Sequence, residues 1–184
     1  MNLLDIVIET KNNIDKDNYA NRNYEIICSY LEAIKLRIID KERGEDNHYT
    51  VIMCPLKTPN IDSYLICSKE KNDYAIQIKQ GANKDKEAKS RMWHNRYKNI
   101  INADNYLYLT YEKEKERNSY NSQLSVENDC LLDTIQLIEN RKQDNPKEYI
   151  FIKKVMDNLA FSNACKDEMD WILLNREYKS LFLS

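Results

Sequence analysis

An aspartate, a glutamine and a lysine within one short stretch have the types and spacing for metal-assisted chemistry on a phosphodiester. Asp62 opens an alternating apolar run over residues 61–68, and Gln77 and Lys79 close the next, over residues 74–80. Side chains two apart on a strand share a face, so Gln77 and Lys79 project together while Ile76 and Ile78 point the other way. A turn near residues 69–72 folds the runs into a β-hairpin and sets Asp62 roughly opposite Lys79. A carboxylate, an amide carbonyl and an ammonium then share one patch of sheet. Mg²⁺ or Mn²⁺ takes such hard oxygen ligands while retaining waters. The metal lowers the pKa of an attacking water, and Lys79 positions that water or helps deprotonate it. An exposed sheet face with ordinary polar residues is the plainer account of the same side chains.

The elements around this hairpin decide whether the three residues can meet. Residues 2–12 suit a short helix, and the polar stretch 12–23 suits a linker or cap. A stronger helix is expected over 23–41, where Ile27, Leu31, Ile34 and Ile38 form one apolar stripe. Arg43 to Asn47 ends it as a turn. Three strands follow, at 49–54, 61–68 and 74–80, with connections short enough for an antiparallel meander. Residues 83–102 read as a helix with Ala88, Met92, Trp93 and Tyr97 on its apolar side. Residues 106–111 read as a fourth strand, which a helical crossover would lay parallel to a neighbour. The rest reads as helical: 125–142 with a cap at Ser125, then 146–159 starting at Asn145-Pro146, then 166–183. Residues 149–152 suit a short strand as well.

Helix, three-strand meander, helix, strand is the αβββαβ order, and with Asp62 and Gln77-Ile78-Lys79 the chain resembles the PD-(D/E)xK (restriction endonuclease-like) superfamily. It is most similar to the Mrr-like D…QxK variant, where Gln replaces the acid of the third strand. The resemblance covers residues 23–111, and it departs from the pattern in having no Pro-Asp dipeptide; Pro59 lies three positions before Asp62. It implies an α/β fold, with a small mixed sheet flanked by helices and a helical C-terminal extension over 125–184. It also implies a metal-dependent DNA endonuclease, a hydrolase of antiviral defence or of a mobile element. Asp62 and Gln77 would ligate Mg²⁺ or Mn²⁺, Lys79 would serve the water, and Glu25 on the first core helix would assist the metal. Glu32, two turns on, competes with Glu25 for that role, and a solvated helix flank accounts for either one alone.

Composition narrows the remaining choices. At 184 residues with 42% hydrophobic side chains, the chain suits one globular domain, 1–184. No apolar run approaches the roughly 18 residues of a membrane span, so a soluble, cytoplasmic protein in a reducing compartment is expected. Five scattered cysteines without a C-x-x-C pair read as buried thiols. Only Gly44 and Gly81 are present, too few for a phosphate-binding P-loop or a dinucleotide fingerprint. Net charge is −2, so a nucleic-acid site must be a local patch. The candidate patch is Lys84, Lys89, Arg91 and Arg96, beside Trp93 and Tyr97, with DNA favoured over RNA as the partner. A solvated cationic face over a core stripe explains those residues too. Arg43 and His48 have the R-x4-H spacing of HEPN ribonucleases but straddle a turn, which makes the match a coincidence. Two alternatives stay open: a catalytically degenerate nuclease fold acting as a binding or inhibitory partner, for example phage-encoded, and an RNA-directed nuclease. A homodimer would suit an enzyme that cuts both strands.

Overall fold

Alternation of apolar and polar residues builds a five-stranded sheet in the order β1-β2-β3-β4-β5. The computed structural model describes residues 1–13, 18–53, 61–69, 72–79, 103–111 and 126–161. The strands are β1 (Tyr49–Met53), β2 (Ser63–Cys67), β3 (Tyr74–Lys79), β4 (Asn105–Thr110) and β5 (Val126–Cys130). The first three form the expected antiparallel meander. β4 runs parallel to β3, and β5 parallel to β4. The result is an α/β architecture with a small, open, mixed sheet. The proposed crossover helix at 83–102, the helix at 166–183, Cys54 and Cys165 lie outside the described residues.

The described helices are α1 (Leu3–Asn12), α2 (Asn18–Glu42), α3 (Leu131–Asn140) and α4 (Pro146–Phe161). α1 starts in a capping box: the Asn2 side chain accepts from Asp5 N–H, and Asp5 accepts from Asn2 N–H, each at 2.8 Å. Pro146 opens α4, and Asn145 caps it by accepting from Glu148 N–H at 3.3 Å. Residues 149–152 are therefore helix.

All four helices contribute to one core against a single face of the sheet. Val51, Leu65, Ile76, Ile78, Leu107 and Leu109 point into it from the strands. α2 is its spine. Every residue from Ile26 to Ile34 on α2 is buried, because α1, α3 and α4 cover the sides that the sheet leaves open. On the other face, Ile61, Ala75, Tyr106 and Tyr108 form a smaller buried cluster.

Three expectations need correction. The helix expected over 23–41 begins at Asn18, so the second half of the polar stretch is helical. The helix expected over 125–142 is instead β5 followed by α3, with Cys130 as N-cap in place of Ser125. β5 completes the sheet at an edge, so the segment after residue 125 is not wholly a helical extension. The flanking helices are also less even than expected: those described all cover the same face.

Candidate functional site at the carboxyl edge of the sheet

Because β2 is antiparallel to β3, the start of β2 lies beside the end of β3. That edge also holds the ends of β4 and β5, since Lys79 pairs with Thr110 and Thr110 with Cys130. Open α/β sheets bind ligands outside the carboxyl ends of their parallel strands. Asp62, Gln77 and Lys79 stand at this edge.

The hairpin register differs from the one expected. Ser63 pairs with Ile76, while Asp62 N–H also bonds the Ile76 carbonyl, at 2.9 Å. Two successive residues therefore face one, the signature of a β-bulge. Asp62 thus lies beside residues 76–78 and not opposite Lys79. Its carboxylate turns back on the strand, and Oδ2 accepts from Ile78 N–H at 2.6 Å. A backbone N–H lies in the plane of the sheet, so the Asp62 carboxylate sits in the gap where β2 parts from β3. At the far end of the hairpin, Asp73 Oδ1 accepts from Cys67 N–H at 2.8 Å and fixes the turn.

Alternation along β3 places Gln77 and Lys79 on the face that carries Ala75, away from α2. Gln77 is buried there and Lys79 is exposed. Glu25 approaches from the α2 side. It is joined to the hairpin by two hydroxyls, each fully buried: Ser29 Oγ lies 2.7 Å from Ser63 Oγ. Ser29 spends its own proton on the Glu25 carbonyl, also at 2.7 Å, so Ser63 donates to Ser29. This chain of bonds ties the backbone of Glu25 to the residue next to Asp62.

Electrostatics place the same groups together. Burial raises the pKa of Asp62, while the Ile78 N–H and the charges of Lys79 and Arg22 pull against that rise. Arg22 in turn lies 3.3 Å from Glu25 Oε2. Burial also pushes the Cys28 thiol far up, against a hydrogen bond with Tyr24, and the charges of Glu25, Glu32 and Asp62 add to the rise. Cys28 therefore stays a thiol.

Glu32 has another role. It is fully buried and pairs with Lys35 at 2.9 Å, and Thr134 Oγ1 donates to its Oε2 at 3.0 Å. Lys35 also pairs with Asp129 at the end of β5. Glu32 holds α3 and β5 against α2.

As donors for Mg²⁺ or Mn²⁺, the edge offers the carboxylates of Asp62 and Glu25, with the Gln77 amide across the strand. Among the described residues no group of three or more His, Cys, Asp and Glu side chains could hold a metal ion. Asp62 by itself supplies part of the shell of a hard cation, while Gln77 lies on the opposite face of the sheet from α2 and Glu25 is paired with Arg22. Lys84, Lys89, Arg91 and Arg96 lie outside the described residues. His48 sits beside Asp46, with 3.8 Å between Nε2 and Oδ1, in the turn before β1.

Arg22, Cys28, Ser29 and Ser63 escaped the sequence reading. A serine inside the apolar run Ile26-Ile27-Cys28-Ser29-Tyr30-Leu31 was the available signal, since a polar residue there must find a buried partner. No family model, curated protein or solved structure matches the chain.

Proposed function

We propose that the protein is a metal-dependent endonuclease that hydrolyses phosphodiester bonds in DNA, in a defence or mobile-element setting. One observation carries the reading. The Asp62 carboxylate is anchored on Ile78 N–H beside the Gln77–Lys79 strand end, and the Ser29–Ser63 contact joins the next residue to the helix that bears Glu25. The succession of α2, an antiparallel meander and a strand parallel to β3 supports it, being the order of the PD-(D/E)xK core.

In this reading Asp62, Glu25 and Gln77 would hold Mg²⁺ or Mn²⁺, and the ion would supply charge neutralisation and a more acidic water. Asp62 Oδ2 is committed to the backbone, so Oδ1 is its free donor. Lys79, exposed at the end of the strand, would orient the water.

The test is incubation of purified protein with plasmid and Mg²⁺ or Mn²⁺, with and without a chelator. Cleavage that disappears with chelator is expected, and Asp62→Ala or Lys79→Ala should lower it about a hundredfold or more. Far-UV circular dichroism should not change. Cleavage by either variant at the wild-type rate would remove the assignment. Structured RNA in the same assay separates an RNA-directed enzyme.

A second reading is favoured by Gln77, which is buried on the face opposite α2. A site whose amide has turned away from its acids suits a protein that keeps the fold and binds a partner without cutting. Absence of cleavage under every metal condition, from protein that still binds duplex DNA or a protein target, would select it.

A further inference from the structure

Among the described residues the sheet ends at β1, with no strand beyond it. Which of its backbone groups are open follows from the first rung. Ser68 N–H donates to the His48 carbonyl at 2.8 Å, in the register that pairs Tyr49 with Cys67. His48, Thr50 and Ile52 therefore turn their backbone groups toward β2, while Tyr49, Val51 and Met53 turn theirs to the open side. Natural sheets blunt such an edge with lysine, proline or a bulge. β1, Tyr-Thr-Val-Ile-Met, has no charge and no proline, and it pairs residue for residue with β2. Four of its five residues are strong strand formers. On the face away from the helices, Ile52 is 49% exposed, across from Tyr64 of β2. The open groups are symmetric about Val51, so they complement themselves. Two copies paired antiparallel there bond Val51 to Val51 and Tyr49 to Met53, which satisfies every open group. Thr50 of one copy then stands opposite Ile52 of the other, and no like charges meet. At the other edge they would. Pairing β5, Val-Glu-Asn-Asp-Cys, with itself about Asn128 sets Glu127 opposite Asp129. The charge pattern permits pairing at one edge and opposes it at the other, which closes the assembly at two copies.

We propose that β1 is a dimerisation edge, joining two copies of this chain into one continuous sheet about Val51. The pairing does not depend on the nuclease reading. Because Met53 of each copy meets Tyr49 of the other, the two carboxyl edges lie on opposite sides of the joined sheet. The dimer therefore does not build one shared site for both strands of a duplex. A single short strand makes a small interface, so a dissociation constant on the order of 10 µM is expected.

Sedimentation of the full chain across a concentration series should show monomer and dimer exchanging near that concentration. Ile52→Lys places an edge-blocking charge at an exposed position. It should weaken the dimer about tenfold or more, with an unchanged circular dichroism spectrum. Disulfide capture reads the register and needs no unfolding control. Thr50→Cys mixed with Ile52→Cys should give a covalent dimer on mild oxidation, well above the wild-type background. Non-hydrogen-bonded partners have Cα atoms about 4.5 Å apart, which a disulfide spans. Each cysteine variant alone should stay at background, because position 50 meets position 52 and not itself. A protein that stays monomeric up to about 1 mM overturns the proposal, and so does an Ile52→Lys dimer as tight as wild type. Capture no greater in the mixture than in either variant alone overturns it as well.

Discussion

Asp62 carries an energetic cost that a purely structural residue would not. Burial raises its pKa despite the Ile78 N–H and two nearby cations. For an acid, a raised folded-state pKa means that the ionised form is disfavoured in the native protein. That penalty is absent below the unfolded-state pKa, grows as pH rises through the folded-state pKa, and is complete above it. Asp62→Asn keeps an oxygen for Ile78 N–H and removes the charge. At pH 7 it should be more stable than wild type by on the order of 1 kcal/mol, or about 2–4 °C in Tm, while cleavage is lost. The gap should close as the pH is lowered through the acidic range. Urea melts of both proteins across a pH series decide the point. An asparagine variant less stable at pH 7 would make Asp62 a strand cap and nothing more. Sequence placed Asp62 at the start of one strand and Gln77 and Lys79 at the end of the next, because alternation is readable, but misplaced their register. A bulge at Asp62–Ser63 depends on which carbonyl accepts which N–H, and no residue type signals that.

At the level of elements, α2 organises the molecule, and the means by which it does so were only half legible. The stripe Ile27, Leu31, Ile34 and Ile38 announces one buried face, yet Ser29, Glu32, Arg37 and Asp40 are buried as well. β1 to β4 were readable from their alternation. β5, Val126-Glu-Asn-Asp-Cys130, was not, since Glu, Asn and Asp are poor strand formers and a strand at the sheet edge needs fewer good ones. β5 is held by its parallel pairing with β4 and by a tertiary charge network, Glu32 with Lys35 and Lys35 with Asp129. Removing the cation leaves Glu32 buried without a counter-charge. Lys35→Met should therefore cost about 3–5 kcal/mol, and adding Glu32→Gln should recover much of it. Chemical denaturation of the two single variants and the double variant measures the coupling. Strict additivity would mean that the pair does not hold β5 and α3 to α2. The hydroxyl pair Ser29–Ser63 acts at the same level on the site. Ser63→Ala strands the Ser29 hydroxyl's second bond at a cost of about 1 kcal/mol and loosens Glu25 relative to Asp62. Mn²⁺ affinity should drop with it, and unchanged affinity would show that the two acids are positioned by other contacts.

For the molecule as a whole, a net charge of −2 works against binding a polyanion, so affinity for DNA must come from a few well-placed cations. Each phosphate neutralised releases condensed counter-ions and steepens the salt dependence of binding. With Lys84, Lys89, Arg91 and Arg96 each on one phosphate, log K should fall against log salt with a slope of about −3.6. Affinity would then drop roughly a hundredfold between 50 and 200 mM salt. Replacing Lys89 and Arg91 by alanine should halve the slope, to about −1.8, because two counter-ions fewer are released. A slope near zero would mean that no phosphate contacts are made, and that an acidic protein of this fold serves a protein partner. A steep slope that the double replacement leaves unchanged would put the contacts elsewhere on the surface. The salt titration therefore separates a protein that contacts DNA phosphates from one that serves a protein partner, without requiring any bond to be cut.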